Sequence, residues 1–372
     1  MDLSALTPVL TAAGPFTTVL LDVTHTDESA RTELELRVRA ATEQLADLAP
    51  PAGVVDAVRE RLLADDGSHT GRALVAAGDG SVVVDVPLTG APVSDVVDLA
   101  PLPDLLPVLR QLPGRVPHVV VVVDRLGADV VVAGGTGGDR AEESVDGDAQ
   151  YVHKVKTGGI GDLSVQHSTE DVWRANAKDV AERVGQVAER TGARFVLVAG
   201  DPRARPLVVD QLPVGVRDLV VTTDEGGRGA GADRSGVERR AAELVAEHEA
   251  RQAAAVREQL DAAGAHGLAV QGVGPVVDAL RKGQVETLVL SDDPGDDELV
   301  TGADPTAIGA TAEELRGLGV ADGVTSPADR VLLRAALATD ADVVVLPAAA
   351  MPAGVDVGAV LRYADASTTD RP

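Results

Sequence analysis

Apolar and polar positions alternate along this chain in short aliphatic runs, broken by turn residues and by longer amphipathic stretches. Residues 16–23 (FTTVLLDV) form a nearly continuous apolar run, the pattern of a buried strand. A helical stretch follows over 27–48, opened by Asp27, Glu28 and Ser29 and stopped by Pro50 and Pro51. A second helix is expected over 54–65. Two further strands, 71–77 (GRALVAA) and 81–86 (SVVVDV), flank Gly78, Asp79 and Gly80, a strong hairpin signal. A proline-spaced helical turn at 101–111 leads to a Pro113–Gly114 linker.

The same reading continues through the middle of the chain. Residues 118–124 (HVVVVVD) and 128–133 (ADVVVA) are strands joined by a turn at 125–127, and 194–199 (RFVLVA) and 219–222 (LVVT) are two more. A long amphipathic helix starts near Ser168, where Ser168 and Thr169 offer an N-cap and Glu170 and Asp171 place carboxylates in the first turn. A second long helix over 237–263 breaks at Gly264. The glycine stretches 134–138 (GGTGG) and 226–231 (GGRGAG) read as flexible loops. Beyond 265, helices at 274–281 and 328–339 alternate with strands at 286–290, 342–346 and 357–363. Such alternation predicts an α/β fold with covering helices, in three α/β domains at 1–115, 116–263 and 264–372.

Composition narrows the chemistry. Hydrophobic residues make up 45% of the chain, enough for real cores, but Phe16, Tyr151, Trp173, Phe195 and Tyr363 are its only Phe, Trp or Tyr. The cores must therefore be aliphatic. Without cysteine there are no disulfides and no thiolate metal sites. No apolar run approaches the ~18 residues of a membrane span, and the N-terminus lacks an export pattern, so a soluble cytoplasmic protein is expected. A net charge of −26 argues against a general nucleic-acid or DNA binder. Lysine is scarce: Lys154, Lys156, Lys178 and Lys282 are the only four.

Two of those lysines sit beside the most distinctive stretch, 151–184. A short basic element (His153, Lys154, Lys156) runs into Gly158, Gly159, Ile160 and Gly161 ahead of the long helix. Glycines let main-chain N–H groups face an anion, so the loop suits close approach to a phosphate backbone. With the preceding hairpin and the strand ending Val198–Ala199–Gly200–Asp201, this layout resembles the middle domain of the archaeo-eukaryotic peptide release factor and Pelota superfamily. The strings Val285–Glu286–Thr287–Leu288 and Ala359–Val360–Leu361–Arg362–Tyr363 resemble its last domain. The chain resembles the bacterial branch, which includes the Balon-like ribosome hibernation factors of actinobacterial type.

The resemblance implies a ribonuclease-H-like middle domain and a final α/β/α domain like that of kink-turn-binding ribosomal proteins. It implies the ribosome as partner, through rRNA in the A site, with a translational GTPase such as elongation factor Tu as a second candidate. It also exposes a departure. True release factors carry Gly-Gly-Gln to hydrolyse peptidyl-tRNA, whereas this loop reads Gly158–Gly159–Ile160, and Gln166 lies seven residues past Gly159. The decoding string Asn-Ile-Lys-Ser is absent as well. The expectation is a non-enzymatic hibernation or silencing factor; the alternative is a peptidyl-tRNA hydrolase or ribosome-rescue release factor using Gln166.

On this reading His153, Lys154, Lys156, Gly158, Gly159, Gly161 and Trp173 are the candidate rRNA-binding residues, and no catalytic, metal or cofactor residue is assigned. Each has a plainer alternative. The basic residues also fit the solvent side of a strand, the glycines a tight turn, and Trp173 a packed helix position. Other chemistry finds no pattern: there is no G-x-x-x-x-G-K-[ST], no complete G-x-G-x-x-G and no G-x-S-x-G, and no two histidines are spaced for a helix-borne zinc site. Asp124, Asp179 and Asp201 could be imagined as a nuclease metal set. Asp124 reads more simply as a turn former before Arg125, and the acidic loop 292–298 as solvated.

Overall fold

The computed structural model describes residues 3–25, 28–65, 69–88, 90–112, 116–133, 141–146, 162–228 and 232–365, with backbone alone at 28, 29, 141, 142, 146 and 162–171. These residues gather into two compact units, Met1–Leu112 with Ala250–Pro372, and Pro113–Glu249. The expected modules 1–115 and 264–372 thus share one unit.

In the first unit, β1 (Phe16–Asp22), α1 (Glu28–Asp47), α2 (Val54–Leu63), β2 (Gly71–Ala76), β3 (Val82–Leu88), β4 (Val96–Ala100) and α3 (Leu106–Gln111) follow in order. The strands form an antiparallel sheet, β3-β2-β1-β4. Val19 and Leu21 of β1 pack with Leu34, Leu45 and Leu62 of the two helices. Leu20 points the other way, into a core shared with Val276, Leu332 and Leu333 near the C-terminus. Burial on both faces explains why β1 lacks polar alternation.

The second unit holds β5 (His118–Val123), β6 (Gly127–Ala133), β7 (Ala141–Asp146), α4 (Asp162–Thr191), β8 (Phe195–Gly200), α5 (Ala204–Gln211), α6 (Val214–Arg217), β9 (Val220–Thr222) and the first half of α7 (Ser235–Ala265). Its sheet runs β7-β6-β5-β8-β9, with β5, β8 and β9 parallel and β6 and β7 antiparallel to their neighbours. That is the mixed, ribonuclease-H-like order. Ala177, Val180, Ala181, Val184 and Val187 of α4, at helical spacing, cover one face with α5, while Val237, Ala241 and Leu244 of α7 cover the other.

The rest of α7 returns to the first unit, followed by β10 (Ala269–Gln271), α8 (Val273–Arg281), β11 (Val285–Ser291), β12 (Glu298–Thr301), β13 (Ile308–Gly309), α9 (Ala312–Gly317), β14 (Val324–Pro327), α10 (Ala328–Ala338), β15 (Asp342–Leu346) and β16 (Val357–Leu361). The sheet β10-β16-β11-β15 lies between α8 and α10 on one side and Ala253 and Leu260 of α7 on the other. This is the α/β/α layering the last domain was expected to have. A small sheet, β13-β12-β14, is appended to it.

Several boundaries differ from the sequence reading. Helix α4 begins at Asp162, six residues before Ser168, and α7 runs through Gly264 to Ala265. At Gly264 a side chain would meet open space, so the glycine costs about 1 kcal/mol in propensity without a packing conflict. Strand β7 (AEESVD) was not legible because it lies at the sheet edge, where little apolar character is required. The glycine stretch at 226–231 is not simply flexible in its described part, since Arg228 is clamped to the sheet as set out below.

Candidate nucleic-acid interface

The candidate surface forms where β5 and β8 end side by side. Parallel strands leave a crevice beyond their carboxyl ends, the usual place for a site in such sheets. Gly200 makes that ending possible: its φ is +102°, and a Cβ there would stand 2.1 Å from the Val123 carbonyl oxygen. The Ala-Gly-Asp string therefore records a backbone close approach that only glycine allows.

Two aspartates shape this edge, and neither is available as a bare metal ligand. Asp124 accepts hydrogen bonds from the amides of Leu126 and Gly127, at 2.8 and 2.9 Å, closing the β5–β6 turn. Asp201 accepts from the amide of Arg203 at 2.7 Å and from that of Ala204, at the start of α5, and from Arg125 Nε at 3.2 Å. Partial burial alone would raise the Asp201 carboxyl; those amides and the Arg125 charge outweigh it and hold the group below its ordinary value. Asp179 is exposed on α4. Among the described residues no group of acidic and histidine side chains is placed to hold a metal ion.

Arg125 turns from Asp201 across the face of Trp173, with its guanidinium carbon 4.6 Å from the ring centroid, a cation–π contact. Trp173 is half-buried, and its indole Nε1 is enclosed without a hydrogen-bond partner among the described residues. Buried Asn176 anchors the helix to the turn by donating from Nδ2 to the Arg125 carbonyl at 3.2 Å. These residues line a narrow cleft with Arg203 and Leu207. The bond from Asn176, midway along α4, fixes the middle of the helix to the turn at the strand ends. The eleven helical residues before Trp173 span roughly 16 Å.

A second cluster holds the hairpin that feeds the glycine loop. Arg228 donates from Nε to Asp129 at 2.8 Å and from Nη2 to Ser144 Oγ at 2.7 Å, and Arg234 also pairs with Asp129. Arg183 of α4 binds Glu143 of β7 at 2.6 Å. Partial burial would raise the Asp129 carboxyl, but the two guanidinium groups hold it below the ordinary range.

The family model for bacterial archaeo-eukaryotic release factor family 2 matches residues 117–266. Over 364 residues the chain is 30% identical to the Mycobacterium tuberculosis proteins Rv2629 (strain H37Rv) and MT2704 (strain CDC 1551), covering 96% of this chain and 95% of each of theirs. The chain belongs to the bacterial archaeo-eukaryotic release factors. Among solved structures, this release-factor relative is similar to ribosome-bound archaeal Pelota, with 15% identity, a TM-score of 0.40 and coverage of 97% and 93% of the two chains. It is also similar to Archaeoglobus fulgidus Pelota, with 13% identity, a TM-score of 0.34 and coverage of 96% and 92%.

Of the residues expected to bind rRNA in this family member, His153, Lys154, Lys156, Gly158, Gly159 and Gly161 lie outside the described residues. Trp173 is placed, on α4 and partly covered by Arg125. Sequence reasoning missed Arg125, Asn176 and Arg203. Along the chain Arg125 is only a turn residue, and nothing there says that this turn meets a tryptophan 48 positions later. Gln166, the alternative catalytic residue, falls inside α4 beyond its first four residues. Its backbone N–H thus belongs to the helical ladder rather than to a loop.

Proposed function

We propose that this release-factor relative occupies the ribosomal A site and silences the ribosome rather than releasing peptide. The observation that carries the reading is the loop string Gly158–Gly159–Ile160, with no glutamine after its paired glycines. Release by Gly-Gly-Gln uses the glutamine backbone N–H at the transition state, a donor whose position decides its worth. Gln166, held in α4, does not supply it from the loop.

Charge distribution supports the middle module as the RNA-facing part. Residues 151–217 carry ten Lys or Arg against eight Asp or Glu, in a chain whose net charge is −26. On this proposal His153, Lys154, Lys156 and the glycines Gly158, Gly159 and Gly161 meet rRNA, with Trp173, Arg125 and Arg203 flanking them. A translational GTPase such as elongation factor Tu is the proposed delivery partner, and the cytoplasm the proposed compartment. Among the described residues no helix is long and apolar enough to cross a membrane.

Sedimentation tests the proposal. The purified protein should travel with vacant 70S ribosomes and compete with aminoacyl-tRNA for the A site. Recovery only in ribosome-free fractions at low salt would defeat it. Loaded ribosomes should show no puromycin-like release of peptide; turnover that disappears in Gln166→Ala would establish the peptidyl-tRNA hydrolase reading instead.

A further inference from the structure

Near the carboxyl ends of β5, β8 and β9 most guanidinium groups are spent. Arg205 donates to the Thr223 carbonyl and to the Asp224 carboxylate, and Arg239 pairs with Glu225 at 2.8 Å. Arg228 and Arg234 converge on Asp129. Two arginines lining the cleft are not used up in this way. Arg125 spends only Nε, on Asp201, and among the described residues its Nη1 and Nη2 have no hydrogen-bond partner. Its side chain keeps 39% exposure. Arg203 is exposed, and its side chain pairs with no described residue.

The surroundings of Arg125 prepare it for an anion. Trp173 lies against one face of the guanidinium, and Asp201 holds Nε. A guanidinium fixed on an aromatic face and at one edge gives up little further rotamer freedom on binding, and its free fork matches two phosphate oxygens. The neighbouring carboxylates are already occupied. Asp124 is met by the amides of Leu126 and Gly127 and by Arg228 at 3.3 Å, and Asp201 by the amides of Arg203 and Ala204 and by Arg125. A nucleobase does not fit inside the cleft, which encloses only about 10 Å³, room for a single water. Arg125 also covers the face of Trp173 on which it stacks.

We propose that Arg125 grips a backbone phosphate of rRNA through Nη1 and Nη2, with Arg203 beside it as a second cation. Trp173 is then a positioning residue for Arg125 rather than a platform for a base. This grip rests on the ribosomal role proposed above, and adds to it a contact made from the sheet edge rather than from the glycine loop.

The test uses the full chain and vacant 70S ribosomes, with affinity measured by sedimentation across a salt series. Arg125→Gln should lose about tenfold in affinity at low salt and flatten the logarithmic salt slope by about 0.7–0.9, the value for one lost phosphate contact. Arg125→Lys keeps the charge without the fork, so affinity should fall about threefold while the slope stays within about 0.3 of wild type. Circular dichroism and the emission of Trp173 check that each variant is folded. An unchanged slope in Arg125→Gln, with wild type still bound to 70S, would overturn the grip and leave the ribosomal role standing. Wild type that fails to bind 70S would overturn both. A slope flattened equally in Arg125→Lys would assign the effect to altered structure and also overturn the grip. Inorganic phosphate that shifts Trp173 emission saturably below ~1 mM would give the site to a free anion and overturn the rRNA assignment.

Discussion

Replacing Arg330 with methionine should destabilise the first unit by about 2–3 kcal/mol at neutral pH. Arg330 lies on α10 with its side chain 13% exposed, and donates from Nη1 to Asp98 of β4 at 2.7 Å. Its Nη2 stands 3.3 Å from Asp104, and Nη1 also reaches the Leu102 carbonyl. It thereby ties the first sheet to the C-terminal helices. Methionine preserves most of the volume, so the loss is chiefly electrostatic. Removing one partner of a fully buried pair costs roughly 3–5 kcal/mol. Asp98 and Asp104 keep 31% and 19% exposure, which places this case below that range.

The pH dependence separates this cause from a packing defect. Burial already pushes the Asp104 and Asp329 carboxyls above their ordinary values, and Arg330 holds both back. A folded-state value raised above the unfolded one means that the native state binds more protons between the two. Stability from these groups therefore increases as pH falls through the raised value toward about 4. In Arg330→Met the carboxyls rise further, so the deficit at pH 7 should shrink at pH 5. Urea unfolding by far-UV circular dichroism at both pH values measures it, while the single Trp173 reports the other unit. A deficit under about 1 kcal/mol at pH 7, or one equal at both pH values, would refute the reasoning.

Other expectations follow from the same geometry. Changing Lys154 and Lys156 together to alanine should lower ribosome affinity and flatten its salt dependence by about one unit per lost phosphate contact, read from binding across a salt series; an unchanged slope assigns them to a solvated strand. Gly200→Ala places a Cβ against the Val123 carbonyl at positive φ and should cost at least about 2 kcal/mol, seen as an earlier Trp173 fluorescence transition in urea. Asp129 and Asp201 have depressed carboxyls, so their contribution should be intact above about pH 4 and lost as pH falls through the depressed values; Asp129→Asn should remove part of that acid sensitivity.

The sequence determined the elements and their order wherever local pattern and burial agree. The run HVVVVV of β5 and the strands β8, β11 and β15 lie within buried sheets, so their aliphatic character was unambiguous. The hairpin at Asp79 and the turn at Asp124 were legible because an aspartate bonding to nearby amides is a local event. The loop string Gly158–Gly159–Ile160 was also plain from the letters alone.

What the tertiary structure decided depends on contacts between residues far apart in the chain. Edge strand β7 carries little apolar signal, since four of its six residues are Glu, Ser or Asp. Likewise β14 is only four residues long, and its place at a sheet edge is a fact of sheet order rather than of local composition. The stacking of Arg125 on Trp173, the anchoring of both by Asn176, and the clamp of Arg228 and Arg234 on Asp129 bring together side chains roughly 50 to 105 positions apart. No periodicity encodes such meetings. They arise when parallel β5 and β8 end together and α4 is laid across them, so the charges that shape the surface became visible only once the chain had folded.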